Sequence, residues 1–458
     1  MQGRVKKQEV DMTSGSIIKH LIVFAFPLLI GNVFQQFYNT VDTWVVGNYV
    51  GNEAFAAVGS VGVITNVLIG LFTGFASGAG VVIAQYFGAG KYEAVKKSIH
   101  TSIVFTFWLG IVFTVAGIAM TPLMLRLTNT DPDVIPYAKQ YLSVYFAGIM
   151  SLMMYNLGAG ILRAVGDSKR PFIYLVICAL VNVVLDLLFV VVLKMEVIGV
   201  ALATVISQCI SVVLIAIAMF RSDSCTKIVI KDLKIDRDML KKIIKIGLPS
   251  SIQIALTQFS NVFVQSYING FGKDYMSAWT AYSKIDQLIL LPMQSISLAS
   301  STFVGQNLGK KQSERARKGV STAMFISIIS TAVLMIPVLV FAPGLVEIFN
   351  DTPNVIEYGA LLLRYITPFY LLCCVNQILV GAIRGAGDSK ATMIMLLASF
   401  VFFRQIYLFI FTKIFPGNFL TVAISYPAGW MLASLLTYIY YKKYKLERSS
   451  LALDDKSS

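Results

Sequence analysis

Asn32, Gln35, Asn39 and Asp42 are spaced three, seven and ten residues from the first. At about 100° per residue on an α-helix, that spacing gathers the four polar side chains within one quarter-turn. Asn182 and Asp186 are four apart in a stretch otherwise rich in Val, Leu and Ile, so they too share a face. Thr204, Gln208 and Ser211 do the same in the next apolar run. If the three stripes converge, two carboxylates lie among amide and hydroxyl oxygens. A hard cation such as Na⁺ takes oxygen ligands, whereas two carboxylates pressed together can hold a proton. The spacing does not choose between these ions. Hydrogen bonding between helices is the competing structural use of the same acids.

The elements that must carry these residues follow from composition. The chain has 458 residues, 56% hydrophobic and 14% charged, with a mean hydropathy of +0.72. Soluble domains carry about 25% charged residues, so a soluble enzyme, a nucleic-acid-binding domain and a disordered chain are excluded. Runs of roughly 20 apolar residues bounded by charges or turn residues start near Ile17, Ala54, Ser98, Val134, Pro171, Val197, Lys242, Ser277, Gly319, Ile356, Ala391 and Phe419. The run from Ile17 to Val46 is too long for a signal-peptide core and reads as an uncleaved first membrane helix. An even number of spans puts both termini on one side. Most of the 38 Lys and Arg fall in the two tails and in the connections on that side, whereas the opposite loops hold Arg126, Lys139, Lys194, Lys273 and Lys413. The positive-inside rule makes the shared side cytoplasmic. The net charge of +14 is therefore an orientation signal rather than a nucleic-acid partner. Five Cys, four of them in apolar runs, imply no disulfide framework, and two His without ligand spacing imply no zinc site.

An internal repeat stands at an offset of 221 residues. RAVGDSK from Arg163 recurs as RGAGDSK from Arg384, QYFG from Gln85 as QNLG from Gln306, and DPDVIPY from Asp131 as TPNVIEY from Thr352. The offset covers six spans, so both copies have the same orientation in the membrane, and two parallel six-helix lobes are expected. The expected division is a lobe over 1–220, a cytoplasmic linker over 221–241, a lobe over 242–443 and a cytoplasmic tail over 444–458.

The start TSGSIIKHLIVFAFPLLIGN from Thr13, Asp42, the QYFGAGK loop from Gln85 and the duplicated Arg-Gly-Asp-Ser-Lys loops together resemble the multidrug and toxic compound extrusion (MATE) family over nearly the whole chain. The resemblance implies an all-α polytopic membrane protein of 12 transmembrane helices, with two six-helix parallel repeats arranged as a V-shaped two-lobed transporter. It implies export of organic cations by alternating access in antiport with H⁺ or Na⁺, with no cofactor. By analogy with one bacterial branch, Asp42, Asn182, Asp186 and Thr204 would form the cation-coupling site, a Na⁺ site if that is the ion. Gln35, Tyr38, Asn39, Asn156, Gln208, Asp286 and Arg404 are the candidates for the substrate cavity. The expected partners are small organic cations and membrane lipid, with no nucleic acid. A monomer in the plasma membrane is expected, with both termini cytoplasmic. A flippase for a lipid-linked oligosaccharide shares the fold group and is the alternative.

The second half does not repeat the acid pair: at the repeat offset Asn182 and Asp186 fall on Phe403 and Tyr407. Its spans contain Lys284, Asp286, Arg364 and Arg404 instead, and an Asp286–Arg404 ion pair across helices is expected there. Gly70, Gly74 and Gly78 form a small-residue stripe for close helix packing. The RAVGDSK and RGAGDSK loops match no phosphate-binding pattern and read as glycine turns. No catalytic dyad or pair of acidic clusters is present, so an enzyme is not expected.

Overall fold

Lipid offers backbone N–H and C=O groups no partners, and a helix satisfies them within one segment. The computed structural model, which describes residues 9–127, 130–443 and 446, is all-helical, with no strand among the described residues. The tail expected over 444–458 lies outside the described residues apart from Leu446.

The chain divides into two compact units. The first contains residues 9–11 and Phe26–Ser251; the second contains Met12–Ala25 and the chain from Ile252 onward. Helix α1 (Ile17–Tyr49) passes from the second unit into the first just before Pro27, and α8 (Arg237–Asn269) passes from the first into the second just after Pro249. The first unit also holds α2 (Asn52–Gly88), α3 (Tyr92–Leu127), α4 (Ile135–Ala147), α5 (Ile149–Ala164), α6 (Lys169–Asp186) and α7 (Glu196–Phe220). The second holds α9 (Lys273–Gly309), α10 (Ser313–Val340), the short α11 (Ala342–Glu347), α12 (Pro353–Ile366), α13 (Tyr370–Gly385), α14 (Ser389–Leu397), α15 (Arg404–Ile414) and α16 (Phe419–Lys443).

Packing follows the repeat. In the first unit α2 packs on α3, α4 and α5, and α7 packs on α4, α5 and α6. In the second, α9 packs on α10, α12 and α13, and α16 packs on α12, α13 and α15. The two halves therefore fold alike around different side chains.

Among the described residues ten helical stretches are long and apolar enough to cross a membrane, and α4 with α5, bent by 48° at Gly148, makes an eleventh if the bent pair is one span. Helix α8 is the twelfth by its place in the repeat. It starts with Arg237, Lys241, Lys242 and Lys245 and carries Gln253, Gln258, Asn261, Gln265 and Asn269 further on, which lowers its hydropathy. Fourth spans are broken in both units. Gly148 interrupts the first, and a 3₁₀ turn over Thr367–Phe369 interrupts the second at Pro368, which has no N–H to donate. Fifth spans carry π-helical segments, Leu187–Val192 after α6 and Ala398–Phe403 between α14 and α15.

The glycine stripe of α2 meets the first half of α8. A Cβ on Gly74 would fall 2.3 Å from the Ser251 backbone nitrogen, and one on Gly78 would fall 2.3 Å from the Gly247 Cα. Ser251 Oγ closes this approach by donating to the Leu71 carbonyl at 2.6 Å. The duplicated loops are turns with caps. Gly166 and Gly387 take φ of +86° and +100°, and the Asp after each accepts from backbone N–H groups of the following helix: Asp167 Oδ1 from Lys169 and Arg170, Asp388 Oδ1 from Ala391, all at 3.1 Å.

Candidate functional site

Asp42 lies in the last third of α1, and Asp186 is the last residue of α6, where the π-helical segment begins. A π-turn widens the helix and re-aims the residues beside it, and such turns recur at functional sites. The carboxyl groups of Asp42 and Asp186 are close neighbours inside the first unit. Asp186 is fully buried and Asn182, one turn earlier, is 1% exposed. Among the described residues no donor reaches either Asp186 oxygen or Asp42 Oδ1, and both amide atoms of Asn182 make no hydrogen bond. No basic side chain acts on either carboxyl. Leaving a charge in the membrane interior costs about 2.5–3.5 kcal/mol on insertion scales. Two bare carboxylates side by side add repulsion, so the pair requires a proton between the oxygens or a cation bound among them.

The remaining candidates of the first unit have partners of their own or none. Thr204 spends its hydroxyl hydrogen on its own helix, donating to the Val200 carbonyl at 3.1 Å. Gln208 is buried with Oε1 unpartnered, and Ser211 donates to the Tyr174 carbonyl at 3.4 Å. Tyr38 is buried near Asp42 and bonded to Gln35, while Gln35 and Asn39 are themselves exposed. Asn156 donates back to the Leu152 carbonyl at 2.8 Å. Tyr141 of α4 is half-buried in the neighbourhood of both carboxyl groups. Its i+4 spacing with Tyr137 and Tyr145 was visible as a tyrosine row, but a row says nothing about which helix it will face.

In the second unit the expected Asp286–Arg404 ion pair does not form. Asp286 of α9 accepts hydrogen bonds from Tyr370 of α13 and, at 3.2 Å, from Tyr282 one turn earlier on α9. Arg404 donates through Nη2 to Ser260 Oγ at 2.9 Å and Asn261 Oδ1 at 2.8 Å, both on α8, and lies 5.0 Å from the Tyr426 ring centroid. Neutral side chains, Tyr370 and Tyr282 at Asp286 and Ser260 and Asn261 at Arg404, thus stand where an opposite charge was expected. Their presence could not be read from charge spacing alone. Lys284 and Arg364 are exposed.

The MatE family model matches residues 27–188 and 249–410, one match in each half. The chain is 28% identical to a probable multidrug resistance protein, YpnP, of Bacillus subtilis, over 94% of this chain and 96% of that protein. It is 25% identical to the probable multidrug resistance protein NorM of Thermotoga maritima, over 97% of this chain and 96% of that one. A solved structure described as an outward-facing conformation of a multidrug resistance MATE family transporter of the MOP superfamily superposes with a TM-score of 0.90. That match covers 98% of this chain and 100% of the other at 23% identity, and so speaks for the fold.

Proposed function

The chain belongs to the MatE family of membrane transporters, and from that premise we propose that it exports small organic cations across the cell membrane in antiport with H⁺ or Na⁺. The observation that carries the reading is the Asp42–Asp186 pair: two buried carboxyls with no basic partner, beside an Asn182 amide that bonds to nothing. A site so built changes its charge whenever it exchanges its ion. The solute and the ion would then compete for the protein's states, because a bound ligand shifts a conformational balance only by binding the alternatives unequally. Pro27, fifteen residues before Asp42 on the same helix, is a point where α1 can bend as the site loads and empties. The names of the relatives YpnP and NorM support drug-like substrates, and the Lys and Arg distribution supports cytoplasmic termini.

The test is ethidium efflux from proteoliposomes, with the Na⁺ and H⁺ gradients collapsed separately. Wild-type efflux is expected to stop when one of the two gradients is removed, and Asp42→Asn is expected to stop it under all gradients. Efflux indifferent to both gradients and to the substitution would overturn the reading.

A further inference from the structure

Arg404 is a buried cation that the coupling site does not use. It opens α15 directly after the π-helical segment, ten residues before the end of its span, which at about 1.5 Å per residue places it near mid-membrane. Its side chain is 3% exposed. All its hydrogen bonds leave from Nη2 and end on neutral oxygens, Ser260 Oγ and Asn261 Oδ1, while Nε makes none. The acid nearest in kind, Asp286, is occupied by two tyrosines.

The surroundings are built to hold the guanidinium still. Ser260 Oγ donates at 2.8 Å to the carbonyl of Phe400, inside the π-helical segment, and Gln405 Nε2 donates to Ser260 Oγ at 2.9 Å. The Tyr426 ring lies against the guanidinium and is itself only partly buried. A structural arginine at this depth would be expected to have its charge met by a carboxylate. This one is aligned by dipoles and left uncompensated, with an N–H of the edge that grips carboxylates two-fold unused. The two fifth spans are thus opposite in kind. The first unit has a buried acid without a base beside its π-turn, and the second has a buried base without an acid beside its own.

We propose that Arg404 recognises an anionic group on the transported solute, a carboxylate, so that the protein favours substrates carrying both a cationic centre and a carboxylate over purely cationic ones. This rests on the export reading for the word "transported" but not for binding, which can be measured without gradients.

The experiment is fluorescence-polarisation binding to the purified full-length protein in detergent. The probes are a cationic rhodamine with its free carboxyl group, the methyl ester of the same dye, and ethidium. Wild type is expected to bind the acid about tenfold more tightly than the ester, the worth of one good charge-assisted contact. Arg404→Gln is expected to erase that preference while ester and ethidium affinities stay within about twofold, and Arg404→Lys is expected to restore part of it. Equal binding of acid and ester by wild type overturns the proposal whether or not any variant folds. So does a variant that weakens all three probes alike. Ethidium binding and efflux that persist alongside any of these outcomes would leave the export reading standing.

Discussion

The carboxyl group of Asp186, at the last residue of α6, lies beside that of Asp42 on α1, and among the described residues no basic side chain acts on either and no hydrogen-bond donor reaches either Asp186 oxygen. Two neighbouring carboxyl groups cannot both stay ionised in a buried place without a proton or a cation between them, so the two residues are expected to act as one site.

Groups that act as a unit are non-additive when removed. Asp42→Asn, Asp186→Asn and the double variant are therefore expected to lose gradient-driven ethidium efflux to the same extent, with the double no worse than either single. Initial efflux rates in matched proteoliposomes check this. Independent, multiplying losses would mean that the acids act at separate steps.

Gly90 and Lys311 occupy the same turn in the two repeats, and both have positive φ, +70° and 62°. Glycine takes this conformation freely, whereas a side chain costs about 1 kcal/mol there. Lys311→Gly is expected to raise the thermal midpoint in detergent and Gly90→Lys to lower it by a similar amount. Equal midpoints for Lys311→Gly and wild type would count against strain at Lys311.

The approach of α2 to α8 leaves no room for a methyl group at Gly78, where the obstacle is the Gly247 backbone and not a movable side chain. Gly78→Ala should force the helices apart and cost about 1–3 kcal/mol, typical of overpacking. Size-exclusion profiles and unfolding midpoints report this. Gly59, whose added Cβ meets nothing within 4 Å, is the control at which alanine is expected to be harmless.

Glu9, ahead of the first helix, is buried beside Ser224 and Cys225, with Val10 N–H donating to the Val165 carbonyl at 3.2 Å. Burial raises its pKa above the ordinary 4.5, partly opposed by Ser224 and by Arg170. Over the window between the ordinary and the raised value, the folded state holds more protons than the unfolded one. Stability contributed by this contact therefore falls as pH rises through that window. Protection factors at residues 9–11, the exchange rates corrected for the intrinsic rise with pH, should fall from pH 5 to pH 8 in wild type and stay flat in Glu9→Gln. The same burial pushes the Cys225 thiol up to about 12, so it should resist maleimide at neutral pH.

Tyr370 and Tyr282 are the donors to Asp286. Tyr370→Phe removes one and should cost about 1–2 kcal/mol of stability, as losing a hydrogen bond to a buried acid does. Asp286→Asn, which can still accept from both phenols, should cost less. Thermal midpoints of the two variants decide the order.

Membrane placement, helical class and the repeat were determined by the sequence itself, and the Lys and Arg placement gives the expected orientation. Apolar length, the 221-residue recurrence of RAVGDSK as RGAGDSK and the placement of Lys and Arg are one-dimensional signals, and lipid restricts the chain to helices. The acid candidates were legible for the same reason, because Asp42 and Asp186 are rare charges in apolar runs. Only the tertiary structure decided who meets whom. It joined residues 144 positions apart into one site, gave Asp286 two phenols in place of Arg404, and placed Arg404 against Ser260 and Asn261. Helical spacing says which face a residue shares along its own helix. The partner is set by how helices pack and where π-turns and broken spans rotate them, and a single residue of rotation turns a side chain by about 100°.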